Sequence, residues 1–203
     1  FLVIILRKSK IYFNKSSITE PLDKITEWEY LPMGWKYSKN NPEVKGWNVD
    51  EIKEIYKEKL PRFNSMLTLN GPLGFAHESN ITTNEDLISH NIMMSFAYIL
   101  SLAASGKKKL SILDWGGGFG HYFFIAKTII SDVEIDYHCK EVPVIAEYGK
   151  HEFPELKFFD NQSCLDNVYD LVIASSSLHY SEDWKYTLLG LVKSTGSYLY
   201  ITR

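Results

Sequence analysis

This chain has little cysteine, little excess charge of either sign and no long apolar run. Only Cys139 and Cys164 occur in 203 residues, so neither a disulfide framework nor a cysteine-rich zinc site is available, and a reducing cytoplasm suits both thiols. His77, Glu78 and His90 match no zinc spacing, and no metal is assigned. With 22 basic and 25 acidic residues the formal net charge is −3. That leaves no broad basic stripe for a phosphate backbone, which argues against DNA or RNA as a partner. Residues 1–6 are apolar and are followed by Arg7, Lys8 and Lys10, but a helix needs about 20 apolar residues to cross a bilayer. No stable membrane insertion is expected. There is no internal repeat, and nothing in the pattern sets an oligomeric state.

What is present is a chain with 45% hydrophobic residues, enough for one α/β domain burying roughly 70% of its unfolded surface. The most informative stretch runs Ser111-Ile112-Leu113-Asp114-Trp115-Gly116-Gly117-Gly118-Phe119-Gly120-His121-Tyr122. An apolar run from Lys109 to Trp115 reads as a buried strand, and residues 122–130 carry an apolar helical face. A strand, a glycine turn and a helix follow from this. Glycines at 116, 118 and 120 admit backbone conformations closed to other residues and let a ligand approach the main chain. The helix start adds free N–H groups.

A dinucleotide fingerprint spaces its glycines G-x-G-x-x-G around a pyrophosphate. Here the third glycine comes one position early and His121 stands where the fingerprint has glycine. Asp114-x-Gly116-x-Gly118-x-Gly120 instead resembles motif I of the class I S-adenosylmethionine-dependent methyltransferases. The resemblance covers residues 107–203 and implies an α/β, Rossmann-like sheet with helices on both faces. Glu141 ends the next predicted strand, 133–142, and lies 21 residues beyond Gly120, where a carboxylate can accept both ribose hydroxyls. Residues 156–160 and 169–180 read as a third strand closed by an acid and a fourth with a polar exit through Ser175; 196–202 reads as a fifth. The family's sheet continues with an antiparallel hairpin, so truncation after the fifth strand is expected, and the opening on Phe1 rather than Met also reads as a fragment.

By the same resemblance Asp114, Trp115, Gly116, Gly118, Gly120, Glu141, Asp160, Asn161 and Ser175 line the S-adenosylmethionine site. Five of these have a plainer reading as well. Asp114 can cap the following helix, Glu141 can be a solvated strand end, Asp160 and Asn161 can be turn formers, and Trp115 can fill space beneath the turn.

Residues 1–106 differ in texture and are expected to form a helical cap beside the cleft. Trp28, Trp35 and Trp47 make an aromatic segment suited to stacking on a ring or to packing the cap. Residues 49–59 read as a helix, 63–83 as loop, and 84–105 as a helix capped at Asn84 with Glu85 and Asp86 in its first turn. The tract 90–100, the glycine motif and Trp28-Glu29-Tyr30 together resemble a bacterial group of methyltransferases linked to surface-polysaccharide biosynthesis. That implies a small-molecule or glycan acceptor, with a hydroxyl oxygen favoured. Methyltransferases acting on adenine or glutamine amides carry Asp/Asn-Pro-Pro-Tyr after the fourth strand, whereas this chain has Ser176-Ser177-Leu178-His179-Tyr180.

An alcohol needs a base to become a good nucleophile. His179, just past the fourth strand, is the first candidate, and His121, at the helix start, the second. For either ring a structural role stays open. Two further functions also stay open: a nicotinamide-dependent oxidoreductase or epimerase, and a non-catalytic cofactor-binding module. Against the former, no Tyr-x-x-x-Lys pair is seen: Tyr148 is followed at i+4 by Glu152, and Tyr180 by Trp184.

Overall fold

A computed structural model describes residues 4–6, 28–30, 32–68 and 87–202. Its centre is a five-stranded, wholly parallel sheet. In chain order the strands are β3 (Lys109–Trp115), β4 (Glu134–Lys140), β5 (Lys157–Phe159), β6 (Tyr169–Ser175) and β7 (Thr195–Thr202), and in space they run β5-β4-β3-β6-β7. The chain winds outward from β3 through β4 to β5, then returns to β6 on the other side. The order therefore reverses between β3 and β6, which is the place where open α/β sheets bind ligands. A separate antiparallel pair, β1 (Ile4–Leu6) and β2 (Trp28–Tyr30), precedes it.

Strand parity decides what each face buries, because successive side chains point to opposite sides. Leu110 and Ile112 of β3 and Leu171 and Ile173 of β6 join one apolar cluster with Phe123 and Ala126 of α4 (His121–Ile129). Leu113, Val172 and Ala174 face the other way, against Leu191 of α6 (Trp184–Lys193). Both sheet faces are covered, so the middle strands read as nearly unbroken apolar runs. Each buried Leu or Ile contributes roughly 1.5–3 kcal/mol relative to exposure.

Local signals place the helices. Gly120, at φ 78°, makes the left-handed turn into α4. Pro143 opens α5 (Pro143–Glu152), where its missing N–H costs nothing. The Asp183 side chain accepts the Tyr186 N–H at 3.0 Å and caps α6.

Ahead of the sheet lie α1 (Gly34–Asn40), α2 (Asp50–Met66) and α3 (Leu87–Ala104). The pattern predicted a helix over 49–59 and loop from 63, but α2 continues through Pro61 to Met66. The reason is tertiary: Phe63 is fully buried with Met93 and Phe96 of α3, and that packing offsets the proline. Because α3 shares a cluster with β3 and β6, the front segment packs directly on the sheet. Residues 84–86, with the predicted cap at Asn84, lie outside the described residues, as do His77, Glu78, Arg7, Lys8 and Lys10. Among the described residues no helix is long and apolar enough to cross a membrane.

Candidate active site

The carboxyl ends of β3, β4 and β6 open onto a cavity of about 350 Å³. Its sheet-side lip is Trp115 and Gly116 from β3, Lys140 and Glu141 from β4, and Ser175, Ser176 and Ser177 from β6. The opposite side is Trp35, Ser38 and the 44–47 loop, with Tyr180 at one end. The lip is held by extensions of the sheet ladder. Gly116 N–H donates to the Lys140 carbonyl at 2.8 Å, Glu141 N–H to the Phe159 carbonyl at 2.9 Å, and Ser176 N–H to the Thr202 carbonyl at 3.3 Å.

Glu141 ties the lip to the glycine turn. One carboxylate oxygen accepts the Gly118 N–H at 3.0 Å and the other the Val142 N–H at 2.7 Å. Burial pushes its pKa up, while the two amide bonds, from Val142 and Gly118, pull it down. A carboxylate offers about four lone-pair sites. Two remain for a diol in the cavity. Gly116 has φ 76°, and a Cβ there would strike Ser177 Cβ at 2.5 Å. The bare main chain is thus required by the close approach of β6's exit, whose Ser177 hydroxyl donates to the Trp115 carbonyl.

Asp114 is placed differently. It shares the parity of Leu110 and Ile112, so it lies under the glycine turn, 1% exposed, and is absent from the cavity wall. Tyr137 donates its hydroxyl to Asp114 Oδ2, and Oδ1 has no partner among the described residues. Burial pushes the carboxyl up to about 7, the Tyr137 bond opposes this, and the Glu141 charge adds to it. The glycine that accommodates Asp114 is Gly117, which the alternate-glycine pattern passes over: a Cβ there would sit 2.2 Å from Asp114 Oδ2.

This acid gives a pH prediction. Its folded pKa lies above its unfolded value, so the folded chain holds a proton that the unfolded chain releases. Stability therefore falls as pH rises from 3.8 to about 7, by up to about 1.4 kcal/mol per pH unit. Urea titrations across that window should show the decline, and Asp114→Asn should flatten it.

The other predicted residues are dispersed. Gly118 and Gly120 shape the turn, at φ 59° and 78°; a Cβ on Gly118 would meet the Tyr56 ring at 3.2 Å, and one on Gly120 the Leu156 Cδ2 at 2.3 Å. His121 is buried behind the turn, edge-on to Tyr56 and Phe63 at 5.8 and 4.9 Å between ring centres. Asp160 and Asn161 sit beyond β5 and outside the cavity wall. There Lys150 pairs with Asp160 at 3.6 Å, and Asn161 accepts the Ser163 N–H at 2.9 Å to open a 3-10 turn (Gln162–Asp166). Ser175 accepts the Tyr122 hydroxyl at 2.8 Å and bonds Thr202 at 2.8 Å. His179 lies on the 3-10 turn Leu178–Tyr180, its ring centre 4.0 Å from that of Tyr180, and is outside the cavity wall.

Tyr180, Ser177 and Lys140 are among the cavity residues that escaped the sequence reading. Tyr180 and Ser177 flank His179 in the polar exit of β6, and their neighbourhood was the available signal. Lys140 was legible as the residue before Glu141; its ammonium lies 5.2 Å from the Trp115 ring centre.

No protein-family model matches the chain, and no curated protein matches it. Among solved structures it is similar to the plantazolicin methyltransferase BpumL, in complex with a monoazolic desmethylPZN analog and SAH. The identity is 15% and the TM-score 0.47, over 82% of this chain and 55% of that one. It is also similar to a SAM-dependent methyltransferase from Geobacter sulfurreducens in complex with S-adenosyl-L-homocysteine. There the identity is 15% and the TM-score 0.38, over 53% of this chain and 47% of that one. The chain thus spans about half the length of the solved structures it matches.

Proposed function

We propose that this chain binds S-adenosylmethionine at the cleft between β3 and β6 and directs methyl transfer to a hydroxyl of a small-molecule or glycan-type acceptor. One observation carries the reading. A half-buried carboxylate, Glu141, stands at the tip of β4 with lone pairs to spare, beside the bare main chain of Gly116, at the point where the strand order reverses. The donor set fits a ribose on Glu141 and a flat base or thioether near Trp115 and Ile145, which line the same cavity.

The cofactor supplies a methyl group made electrophilic by its sulfonium. The chain supplies position, which in well-oriented systems is worth on the order of 7–11 kcal/mol. Ser175, Ser176 and Ser177 offer hydroxyls to polar groups of the ligands, and Trp115, Trp47 and Tyr180 exclude water from the cavity. The residue we assign to take the acceptor's proton as the oxygen attacks is His179, which is not itself on the cavity wall but neighbours Tyr180, which is. His121, enclosed by Tyr56 and Phe63, fits a packing role better.

Calorimetric titration with S-adenosylhomocysteine and with NAD tests the cofactor, and binding of NAD alone rejects the proposal. Incubation with methyl-labelled cofactor and extracts of polysaccharide precursors tests the acceptor. His179→Ala should leave S-adenosylhomocysteine affinity unchanged and slow transfer by roughly 10²-fold or more. Normal turnover in that variant assigns the base elsewhere.

A further inference from the structure

The segment from α1 through residue 49 crosses over the cavity as a strap fastened on both banks. On the β6 side Lys39 pairs with Glu182 at 2.8 Å, and the Trp47 ring meets Tyr180 edge-on, 5.2 Å between centres and 77° between planes. On the β4 side the Asn48 side chain accepts the Val144 N–H at 3.0 Å. Between these points the strap is a succession of tight turns. Val44 N–H donates to the Asn41 carbonyl at 2.9 Å, Asn48 N–H to the Lys45 carbonyl at 3.1 Å, and Gly46 takes φ 58°. That geometry sets Lys45 and Trp47 on the cavity wall.

The two walls have different chemistry. The sheet lip carries the carboxylate, the bare glycine and three serines that suit a nucleoside. The strap carries indole rings, Trp35 and Trp47, and a cation. Trp47 packs against the cluster of Ile52, Ile55, Tyr56, Phe119 and Ile145 while still lining the cavity. It is therefore a supported platform of the kind on which a flat-faced ring packs well. The charged groups on the wall are Lys45, Lys140 and Glu141, and Glu141 already accepts two main-chain N–H groups. Lys140 lies at the Trp115 ring, on the lip. Lys45 is exposed on the strap and lines the cavity from the side opposite the lip.

We infer that the strap is the acceptor subsite, and that the acceptor is a ring with a flat apolar face carrying an anionic group, carboxylate or phosphate. Trp47, Trp35 and Tyr180 take the ring and Lys45 takes the anion as a point charge. The inference rests on the methyl-transfer reading and names the substrate class for that site. Two kinds of ring share this chemistry, an aromatic acid and an acidic sugar.

The test is calorimetry on protein saturated with S-adenosylhomocysteine. The charged probes are 4-hydroxybenzoate and glucuronate, and their uncharged counterparts 4-hydroxybenzamide and glucose. One charged probe should bind at least about tenfold more tightly than its counterpart, as expected for a charge-assisted contact, and which one does identifies the ring. Lys45→Glu, an exposed change, should erase that preference while S-adenosylhomocysteine affinity holds. Trp47→Leu should weaken both members of the preferred pair about tenfold, and Trp47→Phe should restore most of the loss. Equal binding of charged and uncharged probes, a preference that survives Lys45→Glu, or no probe binding to a protein that does bind S-adenosylhomocysteine, each overturns the subsite. Failure to bind S-adenosylhomocysteine itself overturns the methyl-transfer reading instead, and the subsite with it.

Discussion

Gly117→Ala is expected to unseat the glycine turn, with S-adenosylhomocysteine affinity falling by more than about 100-fold and stability by about 3 kcal/mol. The added Cβ would stand 2.2 Å from Asp114 Oδ2, 2.5 Å from Asp114 Cγ and 2.9 Å from Cys139 Sγ. Neither neighbour can retreat. Both are short side chains on adjacent central strands, 1% and 0% exposed, paired in register at the same level of the sheet. Gly120 makes a useful contrast, because a Cβ there meets only the tip of Leu156 at 2.3 Å, a side chain that can rotate, so strain at φ 78° is the larger part of its cost. For a chain of this size 3 kcal/mol corresponds to a fall in Tm of roughly 10 °C. Adding Asp114→Ala should recover part of the loss, since the two residues are in contact and their effects should not add. If Gly117→Ala binds and melts as the parent does, the acid does not lie beneath the turn.

The second large effect is expected at Glu141. Glu141→Gln keeps the shape and removes the charge. Its amide also sets an NH2 group against one of two main-chain N–H donors, from Gly118 and Val142, that now meet carboxylate oxygens. Hydrogen bonds to charged groups contribute about 1.5–3 kcal/mol each. Losing one, and losing the acceptor that a ribose would use, should weaken S-adenosylhomocysteine by roughly 100-fold, about 2.7 kcal/mol. Calorimetry reads the affinity, and a thermal melt checks that folding survives. Unchanged affinity would remove Glu141 from the cofactor's contacts and leave it as a brace for the lip.

The sheet and its glycine turn were legible because they depend on neighbours in sequence. Lys109–Trp115 is an apolar run bounded by turn formers, and Glu141 stands at the end of the next one. What escaped depends on distant partners or on parity. Asp114 sits at a strand tip by any sequence reading, but the alternation that buries Leu110 and Ile112 also turns Asp114 inward, toward Tyr137. Trp115, one residue on, faces the other way and reaches the cavity. His121 is enclosed by Tyr56 and Phe63, rings supplied by a helix far upstream. Helix α2 outlasts Pro61 because Phe63 is anchored on α3. The strap was visible only as aromatic texture, since its fastening to Tyr180, Glu182 and Val144 joins segments far apart in the sequence.

Ser176 leaves β6 with φ 51°, a left-handed backbone that glycine occupies freely and serine does not. Such a residue costs on the order of 1–3 kcal/mol, yet it stands on the cavity wall with a hydroxyl that glycine would lack. Thermal endurance and the furnishing of the cleft therefore pull this one position in opposite directions. A breeder of heat-hardy variants would be drawn to glycine at 176, and would be trading away a hydroxyl on the cavity wall.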